Sequence, residues 1–165
     1  MTIPFPKHSY EVAKKSGSNF YLSFGILPSD QKAGMYTAYA FSRLVDDAAD
    51  QEAPVEQKRE ILNQWRQELT KCYCGKPEHP VMQELALVVD HFNISKKYFL
   101  DLIEGMVMDL DKQRCLNFQE MHKYCYHVAG TVGLICNAIF GQQNERAHQY
   151  ALDLGTAFQL TNIIR

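Results

Sequence analysis

Tyr39-Ala40-Phe41-Ser42-Arg43-Leu44-Val45-Asp46-Asp47-Ala48-Ala49-Asp50 is the stretch on which the fold turns. Its apolar residues recur at helical spacing, with no alternation of the kind a strand shows. On a helix, residues four apart lie one above the other. Asp46 and Asp50 therefore share a face, and Arg43 stands one turn before Asp46. Two like charges at that spacing weaken an isolated helix by a few tenths of a kcal/mol. An unpaired carboxylate in an apolar setting costs far more. Tyr36, Tyr39, Ala40, Phe41, Val45, Ala48 and Ala49 read as the inward side of the same helix, so the acids are expected at an apolar interior and need a partner. Magnesium fits, because it takes carboxylate oxygens together with water and substrate phosphates. Asp46 and Asp50 are thus candidate metal ligands towards a diphosphate, with Arg43 neutralising further phosphate charge. The plain alternative is an acidic, solvated helix end, which is what most bare Asp-x-x-x-Asp pairs are.

Outward from that helix, the pattern stays helical. Ser29 or Asp30, after Leu27-Pro28, is placed to cap it, and it runs to about Gln51. Pro54 opens a second helix to about Cys72, with Ile61, Leu62, Trp65 and Leu69 on one side. Gly75 to Pro80 reads as a loop, Val81 to Phe92 as a helix ended by Asn93, and Ser95 as the cap of a helix to about Lys112. Arg114 to Leu116 connects to a helix capped by Asn117 and closed by Gly141 after Phe140. A last helix starts near Asn144 and is still periodic at Arg165. The expected class is all-α, a single domain over residues 1–165. The unbroken final pattern suggests that this is the amino-terminal portion of a larger bundle.

Composition narrows the function. A 46% hydrophobic, 22% charged chain is an ordinary globular one. Its net charge of -2 argues against a sequence-independent grip on nucleic acid. Five scattered cysteines read as free thiols in a reducing compartment. The first ten residues have no apolar signal core, and no stretch approaches a membrane span. A cytoplasmic protein with at most peripheral membrane contact is expected.

Two more stretches could carry chemistry. In Tyr124-Cys125-Tyr126-His127-Val128-Ala129-Gly130-Thr131-Val132-Gly133, each mid-helix glycine costs about 1 kcal/mol relative to alanine. They mark either a kink or a close approach, by a ligand or by a second helix. Tyr124 would bring a hydroxyl one turn away. Near the end, Gln159 and Asn162 share a face beyond Gly155 and could hold a diphosphate or order water. There is no nucleotide-binding glycine loop, and Cys72, Cys74 and His79 have poor zinc spacing.

The order of these pieces resembles the squalene/phytoene synthase family. Ser16-Gly17-Ser18-Asn19-Phe20-Tyr21, Leu27-Pro28, the Tyr39–Asp50 stretch, Leu102-Ile103-Glu104-Gly105-Met106 with Met108-Asp109-Leu110, Tyr124 to Gly130, and Leu154-Gly155 with Gln159 to Arg165 carry the likeness. Within it, presqualene diphosphate synthases of bacterial hopanoid pathways look most similar, with phytoene synthases next. The resemblance implies an isoprenoid synthase helical bundle around a cavity. It also implies condensation of two prenyl diphosphates, with magnesium (manganese as a substitute), and NADPH only where the product is reduced to squalene. By the same likeness, Asp46, Asp47 and Asp50 form the metal-binding cluster, Arg43 binds diphosphate and Tyr124 sits at the reaction centre. Phe20, Tyr39, Val128, Gly130, Val132 and Gly155 line the prenyl channel. Gln159, Asn162 and Arg165 approach the diphosphate, and Ser18 is a further substrate-binding residue. Asn19 stands where many relatives have Ser or Thr. The family's second aspartate cluster would follow directly after Arg165. A non-catalytic relative acting as a scaffold, and a chain-elongating or cyclising prenyl enzyme, are the rival readings.

Overall fold

The computed structural model describes residues 2–18, 20–111, 115–142 and 144–165. Asn19, Lys112 and Arg114, which enter the sequence reading above, lie outside them. Every regular element among the described residues is helical: α1 Lys7–Lys15, α2 Phe20–Phe24, α3 Ser29–Asp50, α4 Val55–Tyr73, α5 Pro80–Phe92, α6 Lys96–Leu110, α7 Phe118–Cys125, a π turn Tyr126–Gly130, α8 Thr131–Ile139 and α9 Glu145–Ile164.

Helix α3 is the spine, and α1, α4, α5, α6 and α8 all pack on it. Its buried stripe runs Ala33, Ala38, Phe41, Val45, Ala48, Ala49. Phe41 is fully buried, edge-on to Phe99 of α6 (5.2 Å) and to Trp65 of α4 (6.2 Å). Leu62 and Leu69 of α4, Leu85 and Val88 of α5, and Ile135 and Ile139 of α8 complete the core.

Local signals set most boundaries. Pro28, Pro54 and Pro80 stand at helix starts. Asn93 closes α5 in the left-handed conformation, φ 50°. Asn117 and Asn144 cap α7 and α9 by accepting from the Glu120 and Ala147 backbone N–H, each at 2.9 Å. The expected side-chain cap of α3 is corrected. Neither Ser29 nor Asp30 caps it; Pro28 holds the N-cap position. The Asp30 carboxylate instead accepts the Ile3 backbone N–H (3.0 Å) and ties the amino-terminal segment to the spine. The single helix expected from Asn117 to Phe140 is divided by the π turn into α7 and α8.

Candidate active site

The acids sit where α3 ends. Counting four, three and four residues along the helix, Tyr39, Arg43, Asp46 and Asp50 form a stripe beside the buried one. That offset corrects the expectation of acids inside an apolar interior. At about 100° per residue, Asp46 cannot lie under the stripe that buries Val45. Asp46 is half-buried, while Asp47 and Asp50 are exposed on the rim. Arg43 reaches both neighbours, pairing with Asp47 at 2.6 Å and Asp46 at 3.4 Å. One cleft lies against the amino-terminal segment, between Ile3–His8 and Glu84 and Leu87, and another at the start of α9, by Asn144, His148 and Leu152; neither is at the acids.

Helix α6 contributes a further acid. Asp109 is close enough for its charge to act on Asp46, and Asp50 acts on both. Burial first, and then Asp50, hold the Asp46 carboxyl above the usual carboxylate range; Arg43 pulls the other way. Burial also pushes Asp109 up, with Asp50 adding to it and the Tyr124 hydroxyl opposing. Three carboxylates from two helices thus crowd together with one guanidinium to offset them. In the sequence Asp109 stands only within the family-like Met108-Asp109-Leu110 stretch, and nothing local pairs it with residues 46 and 50.

Tyr124 lies near enough to Asp109 and to Gln159 of α9 for both to act on its hydroxyl. Burial, and then the Asp109 carboxylate, raise its phenol pKa well above the ordinary value, so it is a neutral hydroxyl at physiological pH. The structure therefore brings Tyr124 and Gln159 to the acids. Asn162 and Arg165 are exposed at the far end of α9. At the other side of the site, the Tyr39 hydroxyl is 2.9 Å from Ser16 Oγ, and the Phe20 ring lies 6.5 Å from Tyr39's. Ser18 Oγ accepts the Phe20 backbone N–H at 3.2 Å. Phe20 is 64% exposed.

The glycines resolve towards helix packing. A Cβ on Gly155 would sit 2.7 Å from the Ala129 carbonyl oxygen and 3.0 Å from the Gly130 Cα. A Cβ on Gly133 would sit 2.5 Å from the Ala151 carbonyl oxygen. Helix α9 therefore rests backbone to backbone on the π turn and α8. The open faces of Gly130 and Gly155 are filled by each other's helices, so these residues shape the site by letting α9 approach. Val128 is half-buried against Gly105 of α6, and Val132 packs on the core.

The donor set suits magnesium. All the acids are hard oxygen donors, and they crowd with insufficient positive charge. No three ligating side chains converge on one point among the described residues. A cation here would take part of its shell from water and phosphate oxygens, as magnesium does.

The squalene/phytoene synthase family profile matches residues 13–165. The chain is 37% identical over 150 residues to a presqualene diphosphate synthase of Rhodopseudomonas palustris, covering 90% of this chain and 53% of that protein. It is 34% identical over 154 residues to a phytoene synthase of Mycobacterium tuberculosis, covering 93% and 50%. Among solved structures, a dehydrosqualene synthase in complex with ligand superposes with a TM-score of 0.82 at 33% identity, over 95% of this chain and 54% of that one. The chain spans about half the length of the curated relatives it matches.

Proposed function

Because the chain belongs to the squalene/phytoene synthase family, we propose that it serves in a magnesium-assisted prenyltransferase that joins two farnesyl diphosphates head to head, giving presqualene diphosphate. One observation carries the reading: after burial, the charges of Asp50 of α3 and Asp109 of α6 both act to raise the Asp46 pKa, on which Arg43 acts in the opposite sense.

Asp46 and Asp50 are the residues that would hold magnesium, with water and phosphate oxygens completing its shell. Once bound, the ion supplies Lewis-acid stabilisation of a leaving diphosphate. Arg43, already turned to this edge, shares its guanidinium with the departing phosphate oxygens. The allylic C–O bond of the first substrate breaks, and the double bond of the second attacks the resulting carbon. Loss of a proton then closes a cyclopropane. In this reading Tyr124 takes part in that step, its oxygen accepting the proton while its own passes to Asp109. Gln159 lies near the same phenol. Apolar walls from Phe20, Val128 and Val132 would keep water from the cation.

Replacing Asp46 by Asn in the complete enzyme is expected to lower turnover by at least about a hundredfold, the scale of losing one key electrostatic group. Turnover near normal at saturating magnesium would reject the assignment. A phytoene synthase acting on geranylgeranyl diphosphate is the second reading, favoured by the 34% identity to such a relative. Product analysis with each diphosphate separates the two.

A further inference from the structure

Asp50, one of the two residues that would hold magnesium, is the last residue of α3. The turn it closes, Asp47-Ala48-Ala49-Asp50, holds no basic residue, and Asp46 directly precedes it. The carboxyl end of a helix already carries partial negative charge on its unpaired carbonyls. The aspartates at positions 46, 47 and 50 add like charge to it. The C-cap residue, Gln51, has φ -57° and ψ 151°, so the chain leaves extended, without the left-handed turn that commonly closes a helix.

The final carbonyls are met one at a time. Asp47 accepts the Gln51 backbone N–H at 3.1 Å, and Ala48 accepts the Gln51 side-chain amide at 3.1 Å. Ala49 accepts from the ammonium of Lys58 at 2.8 Å. Ala49 is buried and Lys58 half-buried, and a charged donor makes the stronger kind of hydrogen bond. Arg43 does not duplicate this contact, because its guanidinium reaches the carboxylates of Asp46 and Asp47. Lys58 stands at the start of α4, where the positive end of its own helix dipole disfavours a cation. Its position is unfavourable for α4 and favourable for the end of α3.

We propose that Lys58 is a positioning residue: its ammonium caps the carboxyl end of α3 and keeps the final turn wound, so that Asp50 stays one turn from Asp46 on a shared face. Unwinding that turn carries Asp50 away from Asp46. Lys58 need not touch metal or phosphate. Its consequence for the metal rests on the role given to Asp46 and Asp50 above, but the cap itself does not.

Backbone amide exchange, followed residue by residue by NMR in the metal-free chain, tests the cap. Lys58→Met keeps an unbranched side chain and removes the charge. The Asp50 and Gln51 amides close the final turn, and they are expected to exchange roughly three- to tenfold faster, the scale of losing one partly exposed hydrogen bond. Lys58 is remote from them in sequence, so their intrinsic exchange rates do not change. Lys58→Arg, which can still donate, is expected to restore the wild-type rates. Unchanged exchange at Asp50 and Gln51 in Lys58→Met, or faster exchange confined to the start of α4, would overturn the proposal. Should Lys58→Met fail to fold, Lys58→Gln carries the same comparison. Calorimetry with magnesium and inorganic diphosphate gives the second arm. Binding to Lys58→Met is expected to be weaker by up to the same factor, since only the wound turn binds, and to recover in Lys58→Arg. Affinity equal to wild type despite faster exchange would overturn the positioning role. Affinity lost without any change in exchange would make Lys58 a direct phosphate contact and overturn it too. A wild-type chain that binds no diphosphate with magnesium would sink the metal reading and leave the cap, read by exchange alone, standing.

Discussion

Gly155→Ala sets two opposing effects against each other. A methyl group in the middle of α9 raises helix propensity by about 1 kcal/mol. It would also stand 2.7 Å from the Ala129 carbonyl oxygen, 2.9 Å from the Ala129 carbonyl carbon and 3.0 Å from the Gly130 Cα. All three are backbone atoms of the π turn, so no side chain can swing aside. Restoring ordinary contact distances means moving α9 outward by roughly half an ångström. Overpacking of this kind costs about 1–3 kcal/mol, and an unyielding backbone puts it at the upper end. The net expectation is about 2 kcal/mol of destabilisation, a fall in melting temperature of about 4–8 °C at this chain length. Thermal melts followed by circular dichroism decide it. Gly34→Ala is the control, because a methyl there meets movable side-chain atoms of Ile139 and Phe92 at 3.0 Å, and a smaller loss is expected. A Gly155→Ala chain that melts at or above the wild-type temperature would show that propensity dominates and that α9 does not rest on the π turn as described.

Truncating the centre of the core by Phe41→Ala should cost about 3–5 kcal/mol. Trp65, the single tryptophan and an edge-on neighbour of Phe41, should change its emission in the same variant; an unchanged spectrum would contradict the packing. The acid cluster gives a pH signature. Asp46 and Asp109 titrate above the usual carboxylate range in the folded chain, so the folded state binds more protons than the unfolded one between the two pKa values. Stability from these groups is present below the ordinary carboxylate pKa and is lost as pH rises through the raised values. Magnesium should therefore raise the melting temperature near pH 7 and have little effect near pH 4, and chelation should reverse it. A shift of equal size at both pH values would argue against binding at these carboxylates.

Much of the fold was legible because its punctuation is local. Pro54, Pro80, Asn93, Ser95, Asn117, Asn144 and Gly141 sit within a residue or two of the helix ends they mark. Helix α1 was not legible. Its first residue follows Pro6 without a side-chain cap, and its start is held by Glu84, which accepts the backbone N–H groups of His8 and Ser9 from about 75 residues away. Asp30 misled for the same reason, its carboxylate being engaged by Ile3 rather than by its own helix. At the site, the helical spacing of Asp46 and Asp50 and their closeness to Arg43 could be counted off the chain. How deep the acids lie could not, since one residue of rotation separates the stripe that buries Val45 from the rim that holds Asp46. The nearness of Asp109 to Tyr124 needs α6 laid against the π turn that follows α7, which no local pattern encodes. Paired glycines announced a kink or a close approach, and both occur: the π turn at Tyr126–Gly130 and the seat of α9 on it.

Titration calorimetry of inorganic diphosphate into the chain, with and without magnesium, bears most directly on the site. Binding is expected only with the metal present, and Asp46→Asn together with Asp50→Asn should abolish it while the helical content is kept. Diphosphate binding of equal strength in the absence of magnesium, or undiminished in the double variant, would contradict the account.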